Sequence, residues 1–206
     1  ITRLNGMFAF ALWEPGRRRL ALARDRFGIK PLFVCREGDT LAFASELGAL
    51  LAGGFPAVRR LDRRELRHFL AQRHLSPGGS ALEGVRSLPP ATLLEVTPHG
   101  SSERVYWVPP AAPRVIRLAD AADELARVLP KAVEGQLVAD VPVGVFLSGG
   151  LDSSTLAALA ARVVSGPLRT FSVGFAGPGA VSELPAARRV ASLLDSEHHE
   201  ILLDPA

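Results

Sequence analysis

The chain has 206 residues, enough for one or two domains, and its 48% hydrophobic and 22% charged residues are the balance of a globular protein with a buried core. No apolar run reaches the roughly 18 residues of a membrane span, and the single cysteine, Cys35, excludes an internal disulfide framework and a cysteine-based zinc cluster. The formal net charge is +3, but the basic residues cluster only in short runs without interleaved aromatic side chains, unlike a nucleic-acid-binding surface. We therefore expect a cytoplasmic protein that binds neither nucleic acid nor a membrane.

Three pairs of β-type segments in the first half of the chain are each separated by a short turn, which predicts antiparallel hairpins. The paired segments are 7–13 with 20–24, 32–35 with 41–44, and 92–96 with 103–107. Cys35 lies in the second pair, where a small buried strand residue is expected rather than a reactive thiol.

Two short helices are predicted between these hairpins. One covers 46–51 and ends at Gly53 and Gly54, and the other starts after an Asp62 cap and continues through Gln72. The apolar residues of this second helix that are expected to face the core are Leu66, Phe69 and Leu70.

Residues 108–114 read Val-Pro-Pro-Ala-Ala-Pro-Arg, a proline-rich break typical of a domain linker. After it the predicted elements alternate: helix 118–139, strand at 143, helix 153–164, strand 169–174, helix 183–194 and strand 198–202. This order predicts a parallel sheet with right-handed crossovers. Pro130 is expected to kink or split the long helix. His198 and His199 are adjacent on a strand and point to opposite faces, so we expect them to pack rather than to bind one metal ion.

The most informative segment is 143–154, Val-Gly-Val-Phe-Leu-Ser-Gly-Gly-Leu-Asp-Ser-Ser, in which an apolar strand runs through a Gly-Gly turn into a helix. Glycine has no Cβ to hold a ligand away, so the N–H groups of Ser148, Gly149 and Gly150 can approach an anion, and the helix adds its positive N-terminal end. The segment lacks the Gly-Lys-Ser/Thr ending of a Walker loop. It indicates a phosphate-binding loop, with an ordinary strand-to-helix turn as the alternative.

Ser-Gly-Gly-Leu-Asp-Ser at 148–153 resembles the pyrophosphate loop of the N-type ATP pyrophosphatases, which split ATP between its α and β phosphates to adenylate a substrate. Motifs on both sides of the linker resemble, in the same order, the glutamine-dependent asparagine synthetases. Those before it look like the closing part of their glutaminase domain, and those after it like the opening part of their synthetase domain. The motifs cover 4–11, 23–32, 43–46, 140–154, 170–175, 182–191 and 198–200.

This resemblance implies a glutaminase part over 1–107, a linker over 108–117 and an ATP-pyrophosphatase synthetase part over 118–206. The implied fold is an α+β part of the N-terminal-nucleophile type, followed by an α/β parallel-sheet part of the adenine nucleotide alpha hydrolase type, both truncated. In the implied activity, glutamine supplies ammonia, and ATP with Mg²⁺ converts the side-chain carboxylate of aspartate into an acyl-adenylate that the ammonia attacks. The oligomeric state is left open, a homodimer being one arrangement.

The resemblance also implies a set of ATP-binding residues, which are Leu147, Ser148, Gly149, Gly150, Asp152, Ser153 and Val173. Asp152 is implied as a Mg²⁺ ligand as well, and the alternative is a first-turn acid that only complements the helix dipole. Leu147 and Val173 would hold adenine through apolar contact and backbone hydrogen bonds, although plain core residues would give the same pattern.

In the first half, Asn5 corresponds to a glutamine-binding position, and a turn residue is the alternative. Arg24, Asp25 and Lys30 match signature positions of the family. An ion pair that stabilises a turn explains Arg24 and Asp25 equally well.

No catalytic residue is assigned. The nucleophile of the family is a cysteine at the mature N-terminus, whereas this sequence begins with Ile1, and Cys35 lies in a different motif. We therefore expect an internal fragment in which neither reaction runs by itself. Two other functions stay open: a related synthetase that forms a different amide or a lactam, and a non-catalytic nucleotide-binding module.

Overall fold

The computed structural model describes residues 1–57, 59–110, 113–176 and 182–204, so two residues of the expected linker, 111 and 112, lie outside the described part. The chain forms two compact units, Ile1–Pro113 and Arg114–Ala206. Within the described ranges, no helix combines the length and the apolar character that a membrane span needs.

In its described residues, the first unit contains seven strands, a short 3₁₀ turn at Pro15–Arg17 and two helices. The strands are β1 (Ala9–Glu14), β2 (Arg19–Arg24), β3 (Phe33–Glu37), β4 (Thr40–Ala44), β5 (Val85–Ser87), β6 (Thr92–Thr97) and β7 (Gly100–Val105). They form two antiparallel sheets with the strand orders β1-β2-β6-β7 and β4-β3-β5. All three predicted hairpins are confirmed.

The core of this unit lies between the two sheets. Leu22 and Leu94 from one sheet meet Val34 from the other, and each is at most 5% exposed. On its opposite face, the β4-β3-β5 sheet packs against helix α1 (Leu47–Ala52) through Cys35 and Leu50. Cys35 is 1% exposed, which confirms the expected buried strand residue. Burial raises the pKa of its thiol, so it stays protonated and unreactive at neutral pH.

Helix α2 (Arg63–Gln72) starts where the sequence predicts, but none of its residues is buried. The Asp62 carboxylate caps it by accepting two first-turn N–H groups at 2.8 and 3.2 Å. The apolar residues expected to face the core are exposed instead: Leu66 by 43%, Phe69 by 48% and Leu70 by 73%. Glu65 accepts the N–H of Ser76 at 2.9 Å and also its hydroxyl. The expectation was wrong: the described contacts hold the helix to the following loop through Glu65, and its apolar stripe is not packed in a core.

The loop that follows β2 is held by the carboxylate of Asp25, which is 1% exposed. It accepts four backbone N–H groups at 2.9 to 3.3 Å, those of Phe8, Phe27, Ile29 and Lys30. Burial by itself raises the pKa of this carboxyl group, but the four N–H donors outweigh burial and hold its pKa below the ordinary value.

Arg24 holds the same loop from the other side. Its guanidinium donates to the carbonyls of Gly28 and Lys30 at 2.7 and 2.8 Å and to the carbonyl of Leu88. Among the residues that the structure describes, Arg24 and Asp25 do not form the expected ion pair. Both stabilise the turn, but each does so through backbone groups, because the loop offers carbonyls to one side chain and N–H groups to the other.

The second unit alternates helices and strands. Its elements are α3 (Leu118–Gln136), β8 (Gly144–Phe146), α4 (Leu151–Ala160), β9 (Arg169–Phe175), α5 (Leu184–Leu193) and β10 (Glu197–Leu203). The three strands form a parallel sheet in the order β10-β9-β8, which confirms the predicted parallel sheet. Helix α3 continues through Pro130, so the proline does not split it, and α4 begins at Leu151, before the predicted start.

The sheet of the second unit packs against helices on one face. Thr170 and Ser172 of β9 are buried on that face, while Phe171 and Val173 are exposed on the other. The buried cluster joins the sheet to the helices and includes Leu147, Ala157, Leu168, Ala187 and Ala191. The strand ends and the start of α5 therefore meet at one edge of a packed core.

Replacing Asp25 by Asn should destabilise the protein by about 2 kcal/mol at neutral pH, because the amide NH₂ cannot accept the N–H groups that one carboxylate oxygen now accepts. The folded pKa of Asp25 lies below the unfolded value of about 3.9. Its contribution is therefore present above about pH 4 and is lost as the pH falls through the depressed folded pKa. Urea unfolding of both proteins as a function of pH measures this.

The exposed Asp39 in the turn between β3 and β4 supplies the control, since Asp39→Asn should leave the free energy of unfolding unchanged. A difference between the wild type and Asp25→Asn that stays constant down to about pH 3 would contradict the role of the Asp25 carboxylate.

Leu70→Ala in α2 should change the free energy of unfolding by less than about 0.5 kcal/mol, because Leu70 is 73% exposed. Leu50→Ala in α1 should cost about 2 to 4 kcal/mol, because Leu50 is 3% exposed. Urea unfolding of both variants tests the exposure of the apolar side chains of α2, and equal destabilisation would support an inward-facing Leu70.

Candidate functional site

The loop between β8 and α4 is shaped by two glycines with different roles. Gly149 has a φ of +78°, and a Cβ at this position would lie 2.6 Å from backbone atoms of Ala186 and Ala187 in α5. Only glycine combines that conformation with that close approach. Gly150 has a φ of −73°, and a Cβ there would meet only Ser148 Oγ, at 3.2 Å. Packing of the loop against α5 therefore requires glycine at position 149, whereas the space beside Gly150 is open.

Two serine hydroxyl groups accept hydrogen bonds from backbone N–H groups of this loop. The N–H of Ser148 donates to Ser153 Oγ at 3.2 Å, and the N–H of Gly150 donates to Ser148 Oγ at 3.2 Å. The two Oγ atoms lie 2.8 Å apart and share a further hydrogen bond. We call this arrangement of Ser148 and Ser153 the serine clasp. Because a hydroxyl both donates and accepts, the same side chains can close the loop on itself or turn their donors toward an anion.

A cleft of about 340 Å³ lies beside the loop, at the carboxyl ends of β8 and β9. Ligands of open α/β sheets bind at this edge. Four residues predicted to bind ATP line the cleft: Leu147, Ser148, Ser153 and Val173. The other three, Gly149, Gly150 and Asp152, lie in the adjoining loop and the first turn of α4.

Strand β9 extends past the end of β8, and this directs the backbone of Val173 toward the cleft. The N–H of Leu147 donates to the carbonyl of Phe171 at 2.8 Å. In a parallel sheet the backbone groups of every second residue point to the same neighbouring strand, so the set that includes Phe171 points its N–H and C=O groups toward β8. Val173 is the next residue of that set, and β8 ends at Phe146, so in the described chain no strand stands opposite it. The backbone of Val173 therefore presents an N–H donor and a C=O acceptor, side by side, toward the cleft.

Leu147 is placed differently from Val173. Its side chain is 2% exposed, and its carbonyl accepts the hydroxyl of Ser172. With its N–H also bonded, its backbone is engaged within the sheet. Ser172 was not singled out from the sequence, although a polar residue on the buried face of an alternating strand could have marked it. Glu183 and Leu184 also line the cleft. They lie within the 182–191 motif, to which the sequence assigned no binding role.

The Asp152 side chain is exposed in the first turn of α4, a helix without a side-chain N-cap. In the described part of the chain, no three His, Cys, Asp or Glu side chains come together as a metal site. One carboxylate supplies far fewer than the roughly six oxygens of an octahedral Mg²⁺ site. Among the described residues, Asp152 could therefore supply only one of the oxygen ligands that a Mg²⁺ ion would need.

In the first unit, Asn5 is exposed between the turn at Ile1 and the first strand. The structure commits Arg24 and Asp25 to holding a loop, and Lys30 contributes its backbone N–H and carbonyl to them. The side chains of Arg24 and Asp25 therefore have a structural role, whereas Lys30 takes part only through its backbone.

The two adjacent histidines point to opposite faces, as predicted. His198 Nδ1 lies 2.9 Å from Thr170 Oγ1, and its Nε2 lies 3.2 Å from a carboxylate oxygen of Glu200. The ring of His199 stacks on Phe171 with centroids 5.1 Å apart. Each histidine therefore packs within the sheet.

Comparison with known proteins matches both units. Residues 1–107 match the family model described as a glutamine amidotransferase domain, and residues 124–206 match the model described as asparagine synthase. A solved structure of glutamine phosphoribosylpyrophosphate amidotransferase from B. subtilis covers 88% of this chain and 30% of its own, with 15% identity and a TM-score of 0.29, too low to support an argument.

Among curated proteins, asparagine synthetase [glutamine-hydrolyzing] 3 of Bacillus subtilis is 37% identical over 85% of this chain and 29% of its own length. Asparagine synthetase [glutamine-hydrolyzing] 1 of the same organism is 32% identical over 99% of this chain and 32% of its own. Amidase chry2 of Gibberella zeae is 31% identical over 99% of this chain and 32% of its own. The chain thus spans about a third of the length of these relatives. With both family models matched in order along it, the chain belongs to the glutamine-hydrolysing asparagine synthetase family.

Proposed function

We propose that the protein is an asparagine synthetase that takes ammonia from glutamine and uses ATP to activate aspartate. The observation that carries this proposal is the cleft at the carboxyl ends of β8 and β9, which adjoins a glycine loop and the uncapped start of α4. This edge combines apolar walls with backbone donors, as a nucleotide with a charged tail requires.

The two units take different parts of the reaction in this proposal. Residues 1–107 form a glutaminase part of the N-terminal-nucleophile type, which the two facing antiparallel sheets support. Residues 118–206 form the nucleotide-binding part of adenine nucleotide alpha hydrolase type, which the parallel sheet supports, and 108–117 link them. Asn5 contributes to glutamine binding, since its amide oxygen can accept a hydrogen bond from the substrate ammonium group.

The nucleotide lies with its base at Val173 and its phosphates at the loop. The N–H and C=O of Val173 pair with a donor and an acceptor on the adenine edge, and Leu147 supplies part of the apolar floor. The phosphates then reach Ser148, Gly149, Gly150 and Ser153, where the serine clasp must open to release N–H donors. Binding therefore exchanges internal hydrogen bonds for bonds to phosphate.

The chemistry needs a good leaving group, because a carboxylate is a poor electrophile. The loop N–H groups stabilise the negative charge that collects on the departing pyrophosphate. Bound Mg²⁺ supplies further charge neutralisation, with Asp152 as one oxygen ligand.

The test is pyrophosphate exchange into ATP by the intact protein. We expect exchange that depends on aspartate, together with asparagine and AMP formation when glutamine or ammonium is present. Exchange that depends on another carboxylic acid and not on aspartate would favour a different amide-forming activity, a candidate supported by the similarity to amidase chry2. Failure to bind Mg·ATP at all would contradict the proposal.

Gly150→Ala should weaken Mg·ATP binding at least about tenfold while leaving the free energy of unfolding within about 1 kcal/mol, because its Cβ would stand on the open side of the loop. Gly149→Ala should weaken Mg·ATP binding and also lower the free energy of unfolding, because its Cβ would lie 2.6 Å from the backbone of α5. Calorimetric binding and urea unfolding separate the two effects. Unchanged ATP affinity in Gly150→Ala would indicate an ordinary turn.

Ser153→Ala should weaken Mg·ATP binding about tenfold, since it removes a hydroxyl donor from the phosphate site. Ser154→Ala is the matched control, because Ser154 Oγ is buried without a hydrogen-bond partner in the described structure. Its removal should change affinity less than about twofold. Equal effects of the two variants in calorimetry would contradict a specific role for Ser153.

A further inference from the structure

A second cavity lies in the first unit, between its two sheets. Its volume is about 210 Å³, and both sheets contribute to its walls. It lies beside the end of β6 where Val96 pairs with Leu20 and Ser101. Asn5 precedes the opposite end of the sheet, where Ala9 pairs with Arg24. The cavity is therefore separate from the residue proposed to bind glutamine.

The walls of this cavity are mainly apolar. Val34 and Leu94, which are 3% and 5% exposed, belong to the core between the sheets, and Leu41 and Val96 are partly buried beside them. Water gains few hydrogen bonds against such walls, so an apolar group fits the interior better than a polar one.

One cationic side chain on the wall is not neutralised by a carboxylate. Arg36 lies two residues after Val34 on the same face of β3, and its Nη1 makes a long 3.4 Å hydrogen bond to the Ser101 hydroxyl. In the parts of the chain that the structure describes, it has no ion-pair partner. Continuing the pairing of β3 with β5 by one residue places Gly84 opposite Arg36. No atom lies within 4 Å of where a Cβ on Gly84 would be, so the guanidinium has space beside it.

A second arginine at the cavity is already paired. Nη2 of Arg86 on β5 lies 2.5 Å from Oε2 of Glu103 on β7, and this ion pair joins the two sheets. The cavity therefore offers one uncompensated positive charge beside an apolar interior.

We propose that this cavity binds a small monocarboxylic acid with an apolar body, held by Arg36. The guanidinium binds a carboxylate through two parallel N–H donors, and the apolar body is removed from water against Val34 and Leu94. A volume of about 210 Å³ suits a short branched aliphatic acid. A dicarboxylate is disfavoured because its second charge would enter an apolar space without a partner.

The probe is 4-methylpentanoate, added to the protein and followed by NMR of the ligand and of the arginine side chains. We expect saturable binding in the millimolar range and a shift of the Arg36 Nε resonance. The neutral isostere 4-methylpentanamide and the dicarboxylate succinate should each bind at least about tenfold more weakly.

Arg36→Gln should weaken binding of 4-methylpentanoate at least about tenfold, and Arg36→Lys should retain part of it, because lysine keeps the charge but loses the bidentate geometry. Arg104→Gln is the matched control, an exposed arginine on the opposite face of β7, and should bind as the wild type does. No saturable binding up to about 20 mM, or equal binding by Arg36→Gln and the wild type, would overturn the proposal. Neither readout depends on ATP or glutamine, so its failure leaves the proposed synthetase activity untouched.

Discussion

The close approach of the loop after β8 to helix α5 is the constraint on which the candidate site depends. A Cβ on Gly149 would stand 2.6 Å from the backbone of Ala186, and a Cβ on Gly174 of β9 would stand 2.5 Å from Leu184. Two glycines from different elements thus let α5 lie directly on the carboxyl edge of the sheet. This contact closes one side of the cleft and sets where the loop turns into α4. A bulkier residue at position 149 would meet the backbone of α5 and push the helix away, whereas one at position 174 would meet the side chain of Leu184.

Loops in both units are held by hydrogen bonds to backbone groups. In the first unit, Asp25 and Arg24 satisfy the N–H and carbonyl groups of one loop. In the second unit, Ser148 and Ser153 satisfy N–H groups of the glycine loop. The two kinds of group differ, since an ionised carboxylate only accepts hydrogen bonds, whereas a hydroxyl group both donates and accepts and can rotate toward another partner.

Much of the fold follows from local patterns. Alternating apolar residues predict the three hairpins, and alternating helices and strands predict the parallel sheet, because strand and helix periodicities extend over neighbouring residues. The Asp62 cap is correct for the same reason. The candidate site is also recognisable in part, since the glycine loop is one short segment, and the placement of Ser148 and Ser153 at the cleft agrees with it.

The sequence by itself determined which segments form strands and helices, where the glycine loop lies and which family the motifs resemble, because each depends on residues close together in the chain. Only the tertiary structure decided that the apolar stripe of α2 stays exposed while Glu65 bonds to Ser76. It also decided the direction of the Val173 backbone, which follows from β8 ending before β9. It also brought Arg36 to an apolar cavity between two sheets. These features come from contacts between residues distant in sequence, and no local periodicity encodes which partners meet.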